Sequence, residues 1–405
     1  NIVFYKIFQI IVMPPVKTKI KILRLLNRFN VGGPIYNVTY LTKYINSDFY
    51  QTLLVGGQCE KHEQSAHHIL EKEGIEFKEL KYMRRAISPF FDLISLFQII
   101  LILYKFKPNI IHTHAAKAGL LGRVASLFYF RKISVVHTYH GNVFEGYFSN
   151  FKNAIILKIE QLLARVSTKI IAISNLQKQD LVNKYKICYR DKIQVIPLGF
   201  DLSKFTTMMD SKRQETRQEF NLSDEIILIT IIGRVVPVKN HKLFIDVINY
   251  CKNKSIYDIR ALVVGDGSLT NEIIDYTKSL GLKPSYKEVN ENTDILFTSW
   301  RSDIDRILAA SDIVCLTSFN EGTPVSVIES MASRTASIST NVGGVSDIIN
   351  HRVSGIVTDS HVETYAENLL ELVENKQLRE LISENGQQTS LEKFNYDILI
   401  KNMES

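Results

Sequence analysis

Short apolar segments alternate with longer amphipathic ones along most of this chain, and this alternation constrains the fold more than any other feature. The amphipathic segments carry apolar residues at helical spacing, whereas the short runs resemble buried strands. Strands are predicted at 20–26, 51–55, 110–112, 134–137, 170–173, 193–196, 226–232, 259–264, 295–297, 313–316, 337–339 and 355–357. Strictly alternating strands and helices predict an α/β fold with doubly wound parallel sheets.

The chain has 405 residues, which suits two domains rather than one. Pro197 and Gly199 follow the last predicted strand of the first half, so the boundary is placed there. We therefore expect an N-terminal extension at 1–18, a first Rossmann-like domain at 19–200 and a second one from 201. A polar stretch at 203–223 follows the boundary, and no helix or strand is predicted in it.

Charge divides along the same boundary. The net charge of +7 combines +16 over residues 1–200 with −9 over residues 201–405. No nucleic-acid recognition module accompanies the basic half, so nucleic-acid binding is not predicted. The four cysteines are dispersed and form no paired motif, which favours a reducing, cytosolic compartment. No uninterrupted apolar run approaches the length of a membrane span.

Glycines and cations follow two of the predicted strands. Gly32, Gly33 and Pro34 open a predicted helix, whose N-terminus could receive a phosphate. Gly233 and Arg234 follow strand 226–232, with Lys239 close behind, and two cations there could neutralise a diphosphate. The alternatives are an ordinary turn and solvated loop charges. The sequence contains neither a G-x-G-x-x-G fingerprint nor a P-loop motif.

Two glutamates bracket the start of a later helix. Glu321 follows strand 313–316, and Glu329 lies on the helix that Pro324 opens, so the carboxylates can reach different parts of one ligand. Carboxylates suit sugar or ribose hydroxyls, and the alternative is two surface glutamates. Asp303 and Asp305 resemble a metal-binding D-x-D pair, but first-turn acids that favour the helix dipole are the preferred interpretation.

Histidines cluster at two strand ends. His112 and His114 lie two residues apart on one strand, and His137 and His140 follow on the next. They could bind a metal, or a single histidine could polarise a substrate hydroxyl while the others pack. The sequence has no H-E-x-x-H helix to support the metal interpretation.

Together these motifs resemble the retaining nucleotide-sugar glycosyltransferases of family four, from about residue 19 to the end. The resemblance is carried by the Glu321 to Glu329 spacing, by Gly233-Arg234 with Lys239, and by Gly265-Asp266-Gly267. The segments 112–119 and 137–141 resemble the branch that builds bacterial surface polysaccharides. The resemblance implies a GT-B fold, in which two Rossmann-like domains face a cleft. It also implies a second domain at 201–386 and a crossover helix at 387–405 that returns to the first domain.

The resemblance also implies roles for individual residues. The expected catalytic residues are His140 beside the reacting sugar carbon, Glu321 on the donor sugar, and Arg234 and Lys239 on the diphosphate. Glu329 is expected to bind the ribose, and Trp300 and Arg301 to lie beside the base. The expected donor-binding residues are Gly32, Gly33, Gly233, Gly265, Asp266, Trp300, Arg301, Gly322, Thr323, Pro324, Val325 and Glu329. No metal or other cofactor is expected, because cations and helix N-termini would stabilise the leaving diphosphate.

The function expected from the resemblance is transfer of a hexosyl or N-acetylhexosaminyl group from an NDP-sugar, with UDP favoured. The expected acceptor is a glycan or a polyprenyl-diphosphate-linked glycan at the cytoplasmic membrane face. Lys81, Arg84 and Arg85 precede the apolar segment 90–104 and could contact anionic lipid, with Lys117 also assigned to the acceptor or membrane side. The alternative there is a solvated charge cluster before a core helix. The rival functions are a nucleotide-sugar epimerase on the same fold and a metal hydrolase that uses the histidines.

Overall fold

The computed structural model describes residues 19–60, 63–84, 86–141, 150–288 and 292–405. The N-terminal extension expected at 1–18 and the basic residue Arg85 lie outside the described residues. Two seven-stranded sheets, parallel throughout, form the framework of the described chain. The expected α/β architecture with two Rossmann-like sheets is confirmed.

The first sheet has the strand order β3-β2-β1-β4-β5-β6-β7. Its strands are β1 (Ile20–Leu26), β2 (Tyr50–Gly57), β3 (Phe77–Leu80), β4 (Ile110–His114), β5 (Ser134–Tyr139), β6 (Lys169–Ala172) and β7 (Ile193–Val195). The helices that connect them are α1 (Gly33–Lys43), α2 (His67–Lys72), α3 (Pro89–Phe106), α4 (Ala116–Leu127), α5 (Asn150–Val166) and α6 (Asn175–Gln179). The central strands bury Leu23, Leu25 and Ile111 completely, because helices cover both faces of the sheet.

The second sheet repeats this arrangement with the order β10-β11-β9-β8-β12-β13-β14. Its strands are β8 (Ile227–Ile232), β9 (Ile259–Val264), β10 (Pro284–Tyr286), β11 (Ile295–Ser299), β12 (Ile313–Leu316), β13 (Ala336–Thr340) and β14 (Ile356–Thr358). The helices of this half are α7 (Met209–Glu219), α8 (His241–Lys254), α9 (Thr270–Ser279), α10 (Ile304–Ala310), α11 (Val325–Ala332), α12 (Val345–Ile348), α13 (Val362–Glu374), α14 (Lys376–Phe394) and α15 (Tyr396–Glu404).

The polar stretch 203–223 contains a helix that the sequence did not predict. Helix α7 packs against α10, and its Arg217 is almost fully buried. Arg213 and Arg217 both pair with Asp312, at 2.8 and 3.3 Å. Ion pairs to a neighbouring element, rather than an apolar stripe, hold this helix in place, and a hydrophobic pattern cannot reveal them.

The chain returns to the first domain at its C-terminal end. Helix α14 packs on α11 and β13, whereas α15 lies against α1. Tyr396 stacks on Tyr44 with ring centroids 4.1 Å apart, and Leu399 is buried with Leu41 and Ile171. The crossover therefore starts at Asn395, between two helices, instead of running as one helix from residue 387.

Helix α3 is an exception to the sequence-based expectation that no segment is long and apolar enough to span a membrane. Among the described residues it is the helix that is long and apolar enough to do so by length and composition. Its inner side is packed in the core of the first domain, where Ile99 and Leu103 are fully buried.

Candidate active site

The site is built where the two sheets present the carboxyl ends of their strands to each other. Parallel strands direct the loops that follow them to one edge, which is where ligands bind in such folds. In the first domain these loops follow β1, β4 and β5, and in the second they follow β8, β9 and β12. The backbone oxygen of His140, after β5, lies 3.6 Å from where a Cβ on Gly322, after β12, would stand. The two edges therefore meet in one cleft.

The first-domain edge contains the glycine turn that precedes α1. Pro34 lies in the first turn of this helix, which fixes the backbone for helix entry. A side chain on Gly33 would meet no atom within 4 Å, and one on Gly32 would meet only Pro34, at 3.9 Å. These two glycines leave the backbone N–H groups of the helix start open to the cleft, as a phosphate site requires.

The histidines behind this edge form a hydrogen-bonded network. His112 shares hydrogen bonds with Arg24 (2.9 Å) and with Thr138 (2.8 Å), and His114 Nδ1 and His140 Nε2 lie 2.8 Å apart. Burial lowers the pKa of His140 to about 4 and holds the pKa of His112 and of His114 well below the usual range. The imidazoles are therefore neutral at pH 7.

This network bears on the metal interpretation. Each ring nitrogen in those contacts faces Arg24, Thr138 or another imidazole rather than a common open point. In the described parts of the chain, no three His, Cys, Asp or Glu side chains are grouped to hold a metal ion. The arrangement instead presents one neutral histidine, His140, at the cleft.

Arg24 is a member of this network that the sequence analysis missed. It is a fully buried cation in the middle of β1, where it contacts His112 and donates to the carbonyl of Leu41. Burial lowers the pKa of Arg24 to about 9. An arginine inside the apolar run 20–26 was the signal that could have revealed a buried polar network there.

The second-domain edge brings two predicted catalytic residues into direct contact. Lys239 Nζ donates to Glu321 Oε1 at 2.6 Å, and the hydroxyl of Ser318 donates to the same oxygen at 2.6 Å. The Lys239 side chain packs over Gly233, where a Cβ would stand 3.5 Å from Lys239 Cε, which is an ordinary van der Waals distance. Ser318 is a further residue that sequence reasoning did not identify.

Unlike Lys239, Arg234 has no carboxylate partner among the described residues. Its side chain is exposed at the cleft edge of β8, next to the Lys239–Glu321 pair. In a half of the chain with a net charge of −9, an unpaired cation at a strand end is available to an anionic ligand.

Close backbone approaches shape both loops of this edge. Gly265 has φ of 133°, and a Cβ there would come within 2.0 Å of the Gly233 carbonyl oxygen. Gly343 has φ of 51°, and a Cβ there would come within 1.7 Å of the Glu321 carbonyl oxygen. Only glycine fits at either position, so Gly343 supports the Glu321 loop although the sequence analysis gave it no role.

Helix α11 starts just after Pro324 and carries Glu329 on its second turn. Gly322, Thr323, Pro324 and Val325 form the loop and helix start between the two glutamates. Burial raises the pKa of the Glu329 carboxyl to about 7, the Asp305 charge adds to this, and Lys204 opposes it. The negative charge of Glu329 also raises the pKa of Tyr36, on α1 of the facing domain, after the larger effect of burial.

Asp266 and Arg301 are engaged in contacts within the protein and are less available to a ligand than the sequence suggested, whereas Trp300 is available. Asp266 accepts hydrogen bonds from Thr270, Gly267 and Ser299, which lower its pKa, so it acts mainly as a brace for the loop. Arg301 is held by Asp303 and Glu219. Trp300 is 63% exposed, so its ring can stack on a planar group.

Asp303 precedes α10 and Asp305 pairs with Lys212, in agreement with the helix-start interpretation.

The residues assigned to acceptor or membrane lie around the start of α3. Arg84 stands over the Phe91 ring at 5.3 Å, and Lys81 is exposed. Lys117 donates to Asp92 at 2.7 Å and to the carbonyl of Ala86, which ties α4 to α3. Because β3 ends at the cleft edge, these cations lie at the cleft end of α3.

Comparison with known proteins agrees with this architecture. The chain matches the family model Glycosyltransferase Family 4 over residues 38–204 and the model Glycosyl transferases group 1 over residues 212–389. A UDP-Gal:alpha-D-GlcNAc-diphosphoundecaprenol alpha-1,3-galactosyltransferase of Escherichia coli is 30% identical over 320 residues, which cover 77% of this chain and 78% of that one. The capsular polysaccharide biosynthesis glycosyltransferase CapM of Staphylococcus aureus is 27% identical and covers 84% and 88%.

Solved structures share the fold. HepE of Anabaena in complex with UDP superposes with a TM-score of 0.80 at 21% identity, covering 95% of this chain and 98% of that one. The lipopolysaccharide glycosyltransferase WaaG superposes with a TM-score of 0.67 at 14% identity, covering 94% and 98%. The chain therefore belongs to glycosyltransferase family 4 and is a GT-B glycosyltransferase related to enzymes of capsular and surface-polysaccharide synthesis.

Proposed function

We propose that the protein is a retaining glycosyltransferase that moves a hexosyl or N-acetylhexosaminyl group from a UDP-sugar to a polyprenyl-diphosphate-linked glycan. The proposed setting is bacterial capsule, O-antigen or exopolysaccharide synthesis at the cytoplasmic face of the membrane. The observation that carries the proposal is the Lys239–Glu321 contact beside the unpaired Arg234, facing the neutral His140 across the cleft.

Each group has a chemical task in this proposal. Arg234 and Lys239 bind the diphosphate and stabilise its charge as the bond to the sugar breaks, so no metal is required. Glu321 exchanges its contact with Lys239 for sugar hydroxyls, and Glu329 accepts hydrogen bonds from the ribose. His140, being neutral, can exchange a hydrogen bond with a sugar hydroxyl without placing a cation beside the reacting carbon.

Two findings support UDP as the nucleotide and a lipid-linked acceptor. The E. coli relative is named as using UDP-Gal and a diphosphoundecaprenol-linked GlcNAc, and HepE is described in complex with UDP and with UDP-glucose. The exposed Trp300 offers a surface for a planar base.

The test is a nucleotide-release assay with UDP-, GDP- and ADP-sugars, run with and without a polyprenyl-diphosphate-linked GlcNAc acceptor. We expect release only with the acceptor, with UDP preferred, and an NMR spectrum that places the new anomeric bond in the donor's configuration. Conversion of the donor sugar without acceptor would instead identify an epimerase, and an inverted bond would refute retention.

A further inference from the structure

His241 is a buried histidine in the second domain, outside the hydrogen-bonded network of the first. It is the first residue of α8, and helical spacing places it on the same side as Phe244, Ile248 and Cys251, which pack in the core. The whole residue is only 3% exposed. A position of this kind normally holds an apolar side chain, so an imidazole there needs a physical reason.

Neither ring nitrogen of His241 has a hydrogen-bond partner among the described residues. Both nitrogens are shielded from solvent, and no other described histidine has both of its nitrogens buried and unpaired. Burial lowers the pKa of His241 to about 4, so the ring is neutral at pH 7, with one nitrogen that donates and one that accepts. A buried polar group without partners costs stability, so we expect a partner in another state of the protein.

The ammonium group of Lys239, two residues earlier, is a donor that can supply this partner. Its positive charge adds to the effect of burial in lowering the pKa of His241, as expected for side chains that lie close together. Lys239 Nζ carries three N–H groups, and among the described residues only Glu321 accepts from it. The lysine therefore has N–H groups to spare beside an imidazole that lacks a donor.

The backbone that joins the two side chains is held in place. The Thr317 hydroxyl hydrogen-bonds to the carbonyls of Lys239 and Asn240, at 3.0 Å each. Asn240 has φ of 49°, a left-handed turn through which the chain enters α8 at His241. Because these contacts tie residues 239 and 240 to the loop after β12, Lys239 exchanges partners by moving its side chain rather than its backbone.

We propose that His241 is a positioning residue for Lys239 in the nucleotide-bound enzyme. When Lys239 leaves Glu321 for the diphosphate, the neutral imidazole accepts one of its N–H groups and fixes its direction, while the others bind phosphate oxygens. The ring itself does not touch the ligand, because it is almost fully buried and both nitrogens are covered. The inference rests on the proposed function, in which Lys239 binds the diphosphate.

The experiment is a calorimetric titration of the purified full-length protein with UDP, GDP and ADP. His241→Leu removes the acceptor and leaves an apolar side chain at the core position. We expect about tenfold weaker binding of the preferred diphosphate, as for loss of one hydrogen bond to a charged group, and unchanged affinity for the corresponding nucleoside, which has no phosphate. The melting temperature should be equal or higher, since the free protein loses no hydrogen bond.

A double-mutant cycle separates this role from a general effect on the fold. In the Lys239→Met background, His241→Leu should cause no further loss of affinity, because the group that it positions is gone. His241→Gln keeps a side-chain acceptor and should bind nearly as tightly as the wild type. The matched control is His361→Leu, the same substitution at an exposed histidine that precedes α13, and it should leave the affinity unchanged.

The outcomes distinguish this proposal from the proposed function. Equal affinity of the wild type and His241→Leu would overturn the role of His241 and leave the proposed function intact. The same loss of affinity with and without Lys239 would also overturn it, because the imidazole would then act on a different group. A wild type that binds none of the three diphosphates would overturn both proposals.

Discussion

At the scale of single residues, the site depends on charges that contact each other across short distances. Lys239 and Glu321 form a partly buried ion pair, and Ser318 donates a hydrogen bond to the same carboxylate oxygen. Pairs of this kind hold a binding group in position before the ligand arrives, which reduces the cost of ordering it. Two predictions belong to this scale.

The first concerns the ion pair. In the proposed function, Lys239→Met removes the cation from the leaving diphosphate, and Glu321→Gln removes the carboxylate that orients the sugar. Each should lower kcat/KM by about 10²–10³-fold, as for other preorganised charge-stabilising groups. Lys242→Met, an exposed lysine three residues further along, is the control in the same nucleotide-release assay. Full activity in either single variant would refute the assigned roles.

The second concerns the pH dependence of donor binding. The pKa of Glu329 is raised to about 7, so the carboxylate is protonated below that pH and ionised above it. Only the ionised group can accept hydrogen bonds at both oxygens, so affinity for UDP-glucose should increase as pH rises from 6 to 8. Glu329→Gln should give weaker binding that no longer changes with pH. Calorimetry at both pH values measures this, and a pH-dependent Glu329→Gln variant would contradict it.

At the scale of elements, glycines set how closely the loops of the second sheet approach each other. The Gly265 loop lies against the carbonyl of Gly233, so the position of Arg234 depends on the absence of a side chain at residue 265. Other glycines with positive φ have free space around them. A substitution there therefore tests backbone strain alone, whereas a substitution at Gly265 tests backbone strain and steric overlap together.

A pair of substitutions uses that difference. Gly281 has φ of 79°, and a methyl group added there would meet no atom within 4 Å, so Gly281→Ala should cost only backbone strain, about 1 kcal/mol. Gly265→Ala adds a clash with the Gly233 carbonyl and should displace the Arg234 turn, weakening UDP binding at least ~10-fold as a contact to the diphosphate is lost. Thermal melting and UDP titration of both variants test this. Equal UDP affinity in the two would show that the turn tolerates the clash.

The sequence predicted the interior elements and missed those at the margins. The twelve predicted strands correspond to strands of the structure, because uninterrupted apolar runs are typical of strands buried on both faces. Strands β3 and β10 were not predicted. Both are short edge strands, and the four residues of β3 have two adjacent charged residues, Lys78 and Glu79, at its centre, so it contains no apolar run. The part of helix α14 that precedes residue 387 was not predicted, and the sequence of this helix is largely polar.

The candidate site divides in the same way. Strand-end motifs located Arg234, Lys239 and Glu321, since strand ends converge wherever the chain folds into parallel sheets. Gly343 could not be found, because its approach to the Glu321 loop depends on β12 and β13 lying side by side in the sheet. Ser318 lies in the same loop as Glu321, three residues before it, but a loop serine carries no pattern that marks it as the partner of a carboxylate. The ion pair between Arg301 and Glu219 could not be predicted either, because Glu219 lies on α7, a helix that the sequence did not predict.

At the scale of the whole molecule, the C-terminal helix fastens one domain to the other. Leu399 is buried between α1 and the strands β6 and β7 of the first domain, although the chain reaches it from the second. Across the cleft, the Leu176 N–H donates to Asp347 at 3.3 Å. The relative placement of the catalytic edges therefore depends on residues far from them in sequence.

Removing that anchor should loosen the cleft. Leu399→Ala should lower the free energy of unfolding by about 2–5 kcal/mol through the cavity it leaves. It should also lower kcat/KM at saturating acceptor, because the domains spend less time closed. Lys401→Ala, an exposed neighbour on the same helix, should change neither. Small-angle scattering with and without UDP reports the closure, and an unchanged profile in Leu399→Ala would contradict the prediction.

The chain crosses between the two domains twice, near Phe200 and near Asn395, and the two crossing segments lie side by side. The Phe200 N–H donates to the Phe394 carbonyl at 2.8 Å, and the Tyr396 N–H donates to the Phe200 carbonyl at 3.1 Å. Two strands of backbone joined in this way resist sliding of one domain along the other, because sliding breaks these bonds, but they allow rotation about a shared axis. We therefore expect the cleft to open mainly by rotation about this double connection, and that rotation sets how far Arg234 lies from His140.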